Sequence, residues 1–195
     1  MFGQEVRRGR PGYDRETLLR IAVTVFNERG YDGTSMEDLA ARLGITKSAI
    51  YHHVSGKAEL LELAVNRALD GLAAAAAELT EGTATERLEQ LVRRSVEVLV
   101  AELPFVTLLL RVRGNTEVER AALRRRREFD QAVADLVRQA VAEGGLRPDV
   151  DAVLTARLLF GMVNSITEWY RPDRGVDQRQ LADALVAVAF GGLRR

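Results

Sequence analysis

The sequence predicts an all-α protein in which a small N-terminal three-helix domain precedes a larger helical domain. Apolar residues recur at helical spacing through most of the 195 residues, and no segment shows the sustained period-two alternation of a half-buried strand. The hydrophobic content of 47% is sufficient for a core. All four prolines fall at expected helix boundaries: Pro11, Pro104, Pro148 and Pro172.

Helix start signals divide the chain into about nine predicted helices. These signals are a capping residue alone, or one followed three residues later by Glu or Gln: Asp14, Thr34 with Glu37, Thr83 with Glu86, Thr116 with Glu119, and Asp177 with Gln180. The helices are expected near residues 14–29, 35–43, 46–52, 56–80, 84–103, 105–112, 116–143, 150–171 and 177–192.

The segment 35–53 has the pattern of a helix-turn-helix. Its first helix has one apolar face, Met36, Leu39, Ala40 and Leu43. Gly44 follows where the chain must turn sharply, and Ile45 and Ile50 supply apolar contacts for a second short helix. Any pair of amphipathic helices would explain the apolar positions alone. The small residue at 40, the glycine at 44 and the branched residue at 50 together favour the more specific interpretation.

The second short helix has an exposed face rich in hydrogen-bond donors and nearly free of acids: Thr46, Lys47, Ser48, Tyr51 and His52. Such a face suits a helix that lies against phosphates and base edges of DNA. Lys47 and Lys57, which flank this helix, are the only lysines in the chain. The pattern therefore predicts binding to double-stranded DNA.

Residues 44–60, GITKSAIYHHVSGKAEL, resemble the recognition-helix signature of the TetR family of bacterial transcriptional regulators, as does the preceding frame from Leu18 to Ser35. Two positions depart from the family pattern: Val54 replaces a usual aromatic residue and Gly56 a usual serine. Gly56 is an acceptable helix cap, and Glu59 is placed for a capping box. The resemblance implies a basic arm over 1–13, a DNA-binding domain over 14–55 and a ligand-binding and dimerisation domain over 56–195. The DNA-contacting residues expected from it are Thr34, Ser35, Thr46, Lys47, Ser48, Tyr51, His52 and Lys57.

Other functional classes find little support in the composition. The chain lacks cysteine, and its two histidines, His52 and His53, are adjacent and point about 100° apart on a helix. There is no glycine-rich phosphate loop and no Gly-x-Ser-x-Gly elbow. We therefore expect no enzyme activity, no cofactor and no metal. No apolar run is long enough for a membrane span, which predicts a soluble, cytoplasmic protein without a membrane partner.

The basic residues are unevenly distributed, although 28 basic residues balance 28 acidic ones. Arg7, Arg8 and Arg10 make the first thirteen residues basic. This arm is equally compatible with a solvated tail and with an arm that contacts a DNA groove or its phosphates.

An arginine interrupts the apolar stripe of the long helix after Thr116. Arg126 falls between Ala122 and Phe129, whereas its three arginine neighbours are expected to face solvent. A buried unpaired guanidinium is costly, so Arg126 implies an internal carboxylate, an anionic ligand or a side chain that reaches the surface. The ligand cavity is predicted to be lined by Phe105, Leu109, Arg126, Phe129, Leu159, Met162, Trp169 and Arg171.

The resemblance to the TetR family implies that residues 158–172, LLFGMVNSITEWYRP, line that cavity on one side and a dimer interface on the other. The ending Trp169–Pro172 is similar to that of TetR-family members that sense acyl-coenzyme A thioesters. The resemblance implies a homodimer through a four-helix bundle, with Gly161, Ser165, Leu181, Leu185 and Val188 in the interface. The expected function is repression at a palindromic operator, relieved by a small hydrophobic effector. The alternatives are a sensor of drugs or lipophilic cations, with Glu168 as counter-ion, and a ligand-independent DNA-binding protein.

Overall fold

A computed structural model describes residues 14–194, so the predicted basic arm over 1–13 lies outside the described residues. Within them, the chain forms nine α-helices, which agrees with the predicted number and all-α class. They are α1 (Arg15–Arg29), α2 (Met36–Leu43), α3 (Lys47–Tyr51), α4 (Lys57–Ala77), α5 (Ala84–Ala101), α6 (Leu103–Arg111), α7 (Glu117–Ala142), α8 (Ala152–Trp169) and α9 (Gln178–Gly191). A single antiparallel bridge joins Leu146 to Arg194.

Side-chain caps begin most of the helices where the sequence predicts them. The side chains of Asp14 and Asp177 accept backbone hydrogen bonds at the starts of α1 and α9. Reciprocal capping boxes begin α5 and α7, formed by Thr83 with Glu86 and by Thr116 with Glu119. Each cap satisfies backbone N–H groups that have no partner within the helix.

Two predicted caps are wrong in detail. The box of α2 is formed by Ser35 with Asp38 rather than by Thr34 with Glu37. Before α4, the carboxylate of Glu59 accepts from the backbone N–H and the hydroxyl of Ser55, 2.6 and 2.8 Å away, so it does not close a box on residue 56.

The chain divides into two compact units, the first ending at Leu60 and the second beginning at Leu61. In the first unit, α2 packs against both α1 and α3 around a core that includes Ala22, Phe26, Leu39 and Ile50. Gly44 ends α2 with φ 66° and ψ 31°, the left-handed conformation that glycine adopts without steric cost. The backbone therefore turns between α2 and α3 where the sequence predicts it.

In the second unit, α5 packs against α7, α8 and α9, and α7 also runs along α8. Leu88, Val92, Phe105 and Val137 are completely buried in this unit. No helix within residues 14–194 is long and apolar enough to cross a membrane.

Candidate nucleic-acid interface and effector cavity

The second helix of the helix-turn-helix, α3, presents one buried and one exposed face. Ile50 is completely buried. The five predicted donor residues all lie on the exposed side: Thr46, Lys47, Ser48, Tyr51 and His52. The exposed fraction of Tyr51 is 47%, which is unusual for a large ring. This face is exposed to solvent, as a recognition helix requires.

The polar groups at the start of α3 are organised by short-range hydrogen bonds. The hydroxyl of Thr46 caps the helix by accepting from the backbone N–H of Ala49 at 3.2 Å, and it lies 3.0 Å from the hydroxyl of Ser48. The ammonium of Lys47 forms an ion pair with Glu37 of α2. This contact lowers the pKa of Glu37 and raises that of Lys47. Glu37 is an acid at this surface that the sequence interpretation did not take into account.

Lys57 does not present a free ammonium to DNA, contrary to the expectation for it. Its Nζ donates hydrogen bonds to the backbone carbonyls of Tyr31 and Thr34, each at 2.9 Å. The same nitrogen lies 4.3 Å from the centroid of the Tyr31 ring, within range of a cation–π interaction. The half-buried Lys57 therefore links the first turn of α4 to the loop between α1 and α2.

Thr34 is also directed inwards. Its exposed fraction is 2%, and its hydroxyl donates to the carbonyl of Gly30 at 2.7 Å. The adjacent Ser35 is exposed, but its hydroxyl is bonded to Asp38 in the capping box. Thr34 is therefore a buried structural residue, and the prediction that it contacts DNA is wrong.

The second unit contains a cavity of about 420 Å³ between α4, α6, α7 and α8. Most of its wall is apolar, with Leu69, Leu72 and Ala73 from α4 and Leu109 and Leu110 from α6. A cavity of this size with a few polar groups is typical of small-molecule sites.

The structure places only three of the eight predicted cavity residues in this wall: Leu109, Arg126 and Phe129. Phe105 and Leu159 are buried elsewhere in the core, and Met162 is half-buried away from the cavity. Trp169 is 52% exposed, and Arg171 is exposed and donates to the carbonyl of Tyr170. These five predictions are wrong for this cavity, because α8 lines it only through Phe160 and Asn164, the Phe105 side chain lies in the closed core, and Trp169 and Arg171 lie at the end of α8 and just beyond it.

The polar part of the wall consists mainly of charged residues of α7. Arg125 and Arg126 both line the cavity, together with Glu128 and Asp130. Burial raises the pKa of Asp130, and the positive charges of Arg126 and Arg157 oppose that shift. Arg126 is half-buried, and both carboxylates of the wall, Glu128 and Asp130, are exposed residues at its edge rather than internal ones. Glu168, the counter-ion suggested for a cationic ligand, is exposed and absent from the wall.

Arg125 is half-buried rather than directed to solvent as expected. It donates to the side chains of Asn66 and Asp70 of α4, at 2.8 and 2.6 Å respectively. A long-range pair of this kind leaves no periodic signal in the sequence. Arg125 consequently connects the cavity wall of α7 to α4 within the second unit.

Large apolar residues are exposed on both α8 and α9. Leu154, Leu158 and Val188 have exposed fractions of 56%, 60% and 74%. Gly161 and Ser165, which were predicted to lie in a dimer interface, are exposed on the same helical spacing as Leu154 and Leu158. Leu185 is half-buried, whereas Leu181 is buried within its own subunit and is removed from the predicted interface.

The exposed α3 face and the separate helical unit with an apolar cavity together define a helix-turn-helix transcriptional regulator. Two family models match the chain: "Bacterial regulatory proteins, tetR family" over residues 18–64 and "Tetracyclin repressor-like, C-terminal domain" over residues 81–193. The chain therefore belongs to the TetR family of DNA-binding transcriptional regulators.

Solved structures similar to this chain include other TetR-type regulators. SCO3833 from Streptomyces coelicolor A3, a TetR-family member, is 58% identical, with a TM-score of 0.84 over 97% of this chain and 98% of that one. The ketosteroid transcriptional regulator KstR2 of Mycobacterium tuberculosis is 26% identical, with a TM-score of 0.86 over 96% and 98%. AibR, crystallised with isovaleryl coenzyme A and operator DNA, is 26% identical, with a TM-score of 0.75 over 89% and 96%.

Proposed function

We propose that this protein is a dimeric repressor that binds a palindromic operator and is released by an acyl-coenzyme A thioester. The observation that carries the effector proposal is the apolar cavity with two arginines, Arg125 and Arg126, in one wall. An acyl group suits the apolar wall, and arginine suits the phosphates of the coenzyme because its planar guanidinium binds oxyanions in bidentate fashion. AibR, a similar protein, is known in complex with isovaleryl coenzyme A and operator DNA.

The exposed apolar residues of α8 and α9 support the dimer part of the proposal. Unpartnered large side chains such as Leu158 and Val188 are typical of interaction surfaces when they lie together. A two-fold dimer places two copies of α3 about one helical turn of DNA apart, roughly 34–36 Å, and thereby selects an inverted-repeat operator. Residues Thr46, Lys47, Ser48, Tyr51 and His52 would contact DNA there.

Release follows if the effector binds more tightly to a conformation with a different spacing of the α3 helices. The affinity for the operator then falls by the ratio of the effector affinities for the two conformations, and by no more. Arg126 is expected to contribute to effector binding because it lines the cavity beside Asp130.

Titration of the protein–operator complex with a panel of acyl-coenzyme A thioesters tests this function. We expect release by a thioester, no release by the corresponding free acid, and a weaker response in Arg126→Ala. Arg124→Ala is the matched control, because Arg124 is an exposed arginine of α7 that pairs with Glu117 outside the cavity wall. Indifference to every thioester in the panel would refute the proposed effector class.

A second candidate effector is a lipophilic cation, and the position of Asp130 favours it. This carboxyl lines the cavity and its pKa is raised by burial, so a cationic ligand would gain a partner there. Release by lipophilic cations that is abolished in Asp130→Asn, with no response to thioesters, would support this candidate instead.

A further inference from the structure

A second, smaller cavity adjoins the effector cavity. It has a volume of about 200 Å³ and lies between α4, α5 and α7, with a largely apolar wall that includes Leu79, Leu91 and Leu136. Ala76 and Phe129 line both cavities. The Phe129 ring packs edge-on against Phe160, with the ring centroids 5.0 Å apart. Because the Phe129 ring and the Ala76 methyl group belong to the walls of both cavities, a ligand that displaced Phe129 would extend from one cavity into the other.

The smaller cavity is lined by an arginine that forms no ion pair with any residue over 14–194. Among the described residues that line it, Arg87 alone is charged. Its Nη2 donates to the side-chain oxygen of Gln139 at 3.0 Å, but its buried Nε has no hydrogen-bond partner within the described part of the chain. A buried unsatisfied donor on a charged group is costly, and native proteins retain such groups mainly where they serve a purpose.

We propose that the smaller cavity is a distal effector subsite in which Arg87 binds a terminal carboxylate. The inference rests on the proposed function, because the ligand must enter through the larger cavity. The preferred ligand is an acyl compound with a second carboxylate at the end remote from the coenzyme. Its chain would lie along the apolar wall past Phe129, and its carboxylate would pair with the guanidinium of Arg87.

The chemistry of the wall determines this preference. A plain alkyl end would fill the apolar volume and leave Arg87 without an anionic partner, whereas a carboxylate end would supply one. Hydrogen bonds between charged groups correspond to a roughly tenfold to hundredfold difference in affinity. The dicarboxylic ligand should therefore bind more tightly than its monocarboxylic counterpart by that factor.

Calorimetric titration of the full-length protein with suberyl-coenzyme A and octanoyl-coenzyme A tests the subsite. Wild-type protein should prefer suberyl-coenzyme A, and Arg87→Met should lose the preference without losing affinity for octanoyl-coenzyme A. The matched control is Arg94→Met, which removes another arginine of α5 that is exposed and pairs with Glu78 and Glu97. Equal affinities for both thioesters in wild-type protein, or a preference retained in Arg87→Met, would overturn the subsite while leaving the proposed function intact.

Two measurements distinguish a failure of the subsite proposal from a failure of the proposed effector class. Free suberate is a coenzyme-free probe that keeps the carboxylate, so its weaker binding to Arg87→Met supports the subsite even if both thioesters fail to bind. Failure of suberate and of both thioesters overturns it. In the absence of ligand, Arg87→Met should change the melting temperature little, because loss of the hydrogen bond to Gln139 is offset by removal of a buried unsatisfied donor. A clear decrease would show that Arg87 has a structural role and contradict the proposal.

Discussion

Replacement of Lys57 by methionine separates a structural role from contact with DNA phosphates. The substitution keeps an apolar stem but removes the ammonium that bonds the carbonyls of Tyr31 and Thr34. A hydrogen bond from a charged donor contributes about 1.5–3 kcal/mol, and the cation–π contact adds about 0.5–1 kcal/mol at a partly exposed site. Because Lys57 is half-buried, water replaces part of this interaction. We therefore expect a loss of about 2–3 kcal/mol in the free energy of unfolding.

Thermal denaturation followed by circular dichroism measures this loss. For a protein of this size, 2–3 kcal/mol corresponds to a decrease of roughly 4–12 °C in melting temperature. Binding to a DNA duplex is measured in parallel at several salt concentrations. Lys57→Met should leave the slope of log affinity against log salt unchanged, since a residue that does not contact phosphate releases no counterion.

Lys47→Met is the matched control, because Lys47 is the other lysine of the chain and is exposed on α3. Its ion pair with Glu37 lies at the surface, where water and salt screen the attraction between the two charges. Lys47→Met should therefore change stability little, and should weaken DNA binding. If Lys57→Met instead leaves stability unchanged and lowers the salt slope by about one unit, the Lys57 ammonium contacts a DNA phosphate rather than the carbonyls of Tyr31 and Thr34.

Three further substitutions test other parts of the structure. Gly56→Ser should raise stability by a few tenths of a kcal/mol, because serine is a better helix cap and a Cβ at Gly56 meets no atom within 4 Å; a lower melting temperature contradicts this. Val188→Arg should shift the protein towards monomer in sedimentation and weaken operator binding. The control Gln131→Arg, on the exposed surface of α7, should remain dimeric. A Val188→Arg protein that is still dimeric would place the interface elsewhere. Asp130→Asn should raise stability at neutral pH, and the gain should vanish as the pH falls below the ordinary range of an aspartate. The pKa of Asp130 is raised in the folded protein, so its ionisation lowers the free energy of unfolding as the pH rises from the unfolded to the folded pKa value. If Asp130→Asn is less stable than wild type at neutral pH, attraction to Arg126 dominates instead.

Local signals in the sequence predict the helices and most of their caps. Thr83 with Glu86 and Thr116 with Glu119 form the expected boxes because each pattern stands alone in its segment. At α2, two overlapping patterns compete, since either Thr34 or Ser35 can precede an acid by three residues. The choice depends on a hydrogen bond outside the pattern, because the hydroxyl of Thr34 donates to Gly30 instead.

The cavity is less predictable because its wall is assembled from four helices. Periodicity indicates which face of a helix is apolar, but not whether that face borders a cavity, the closed core or another subunit. Leu159 and Phe129 share the apolar pattern, yet Leu159 is in the closed core and Phe129 in the wall. On α9, Leu181 packs inwards while Val188, two turns further on, is exposed. Which of these two residues is buried depends on how α9 packs against the rest of its unit, and the periodic pattern does not show that packing.

Selection of bound duplexes from a random DNA library by the purified protein measures whether α3 reads a palindromic operator. We expect recovery of an inverted repeat whose two halves are about one helical turn apart. Recovery should be lost when Ser48 and Tyr51, two exposed residues of α3, are replaced by alanine. Addition of an effective acyl-coenzyme A thioester should release the recovered duplex from the wild-type protein. Recovery of no common sequence, or of the same inverted repeat by the doubly substituted protein, would contradict the claim that α3 reads a palindromic operator.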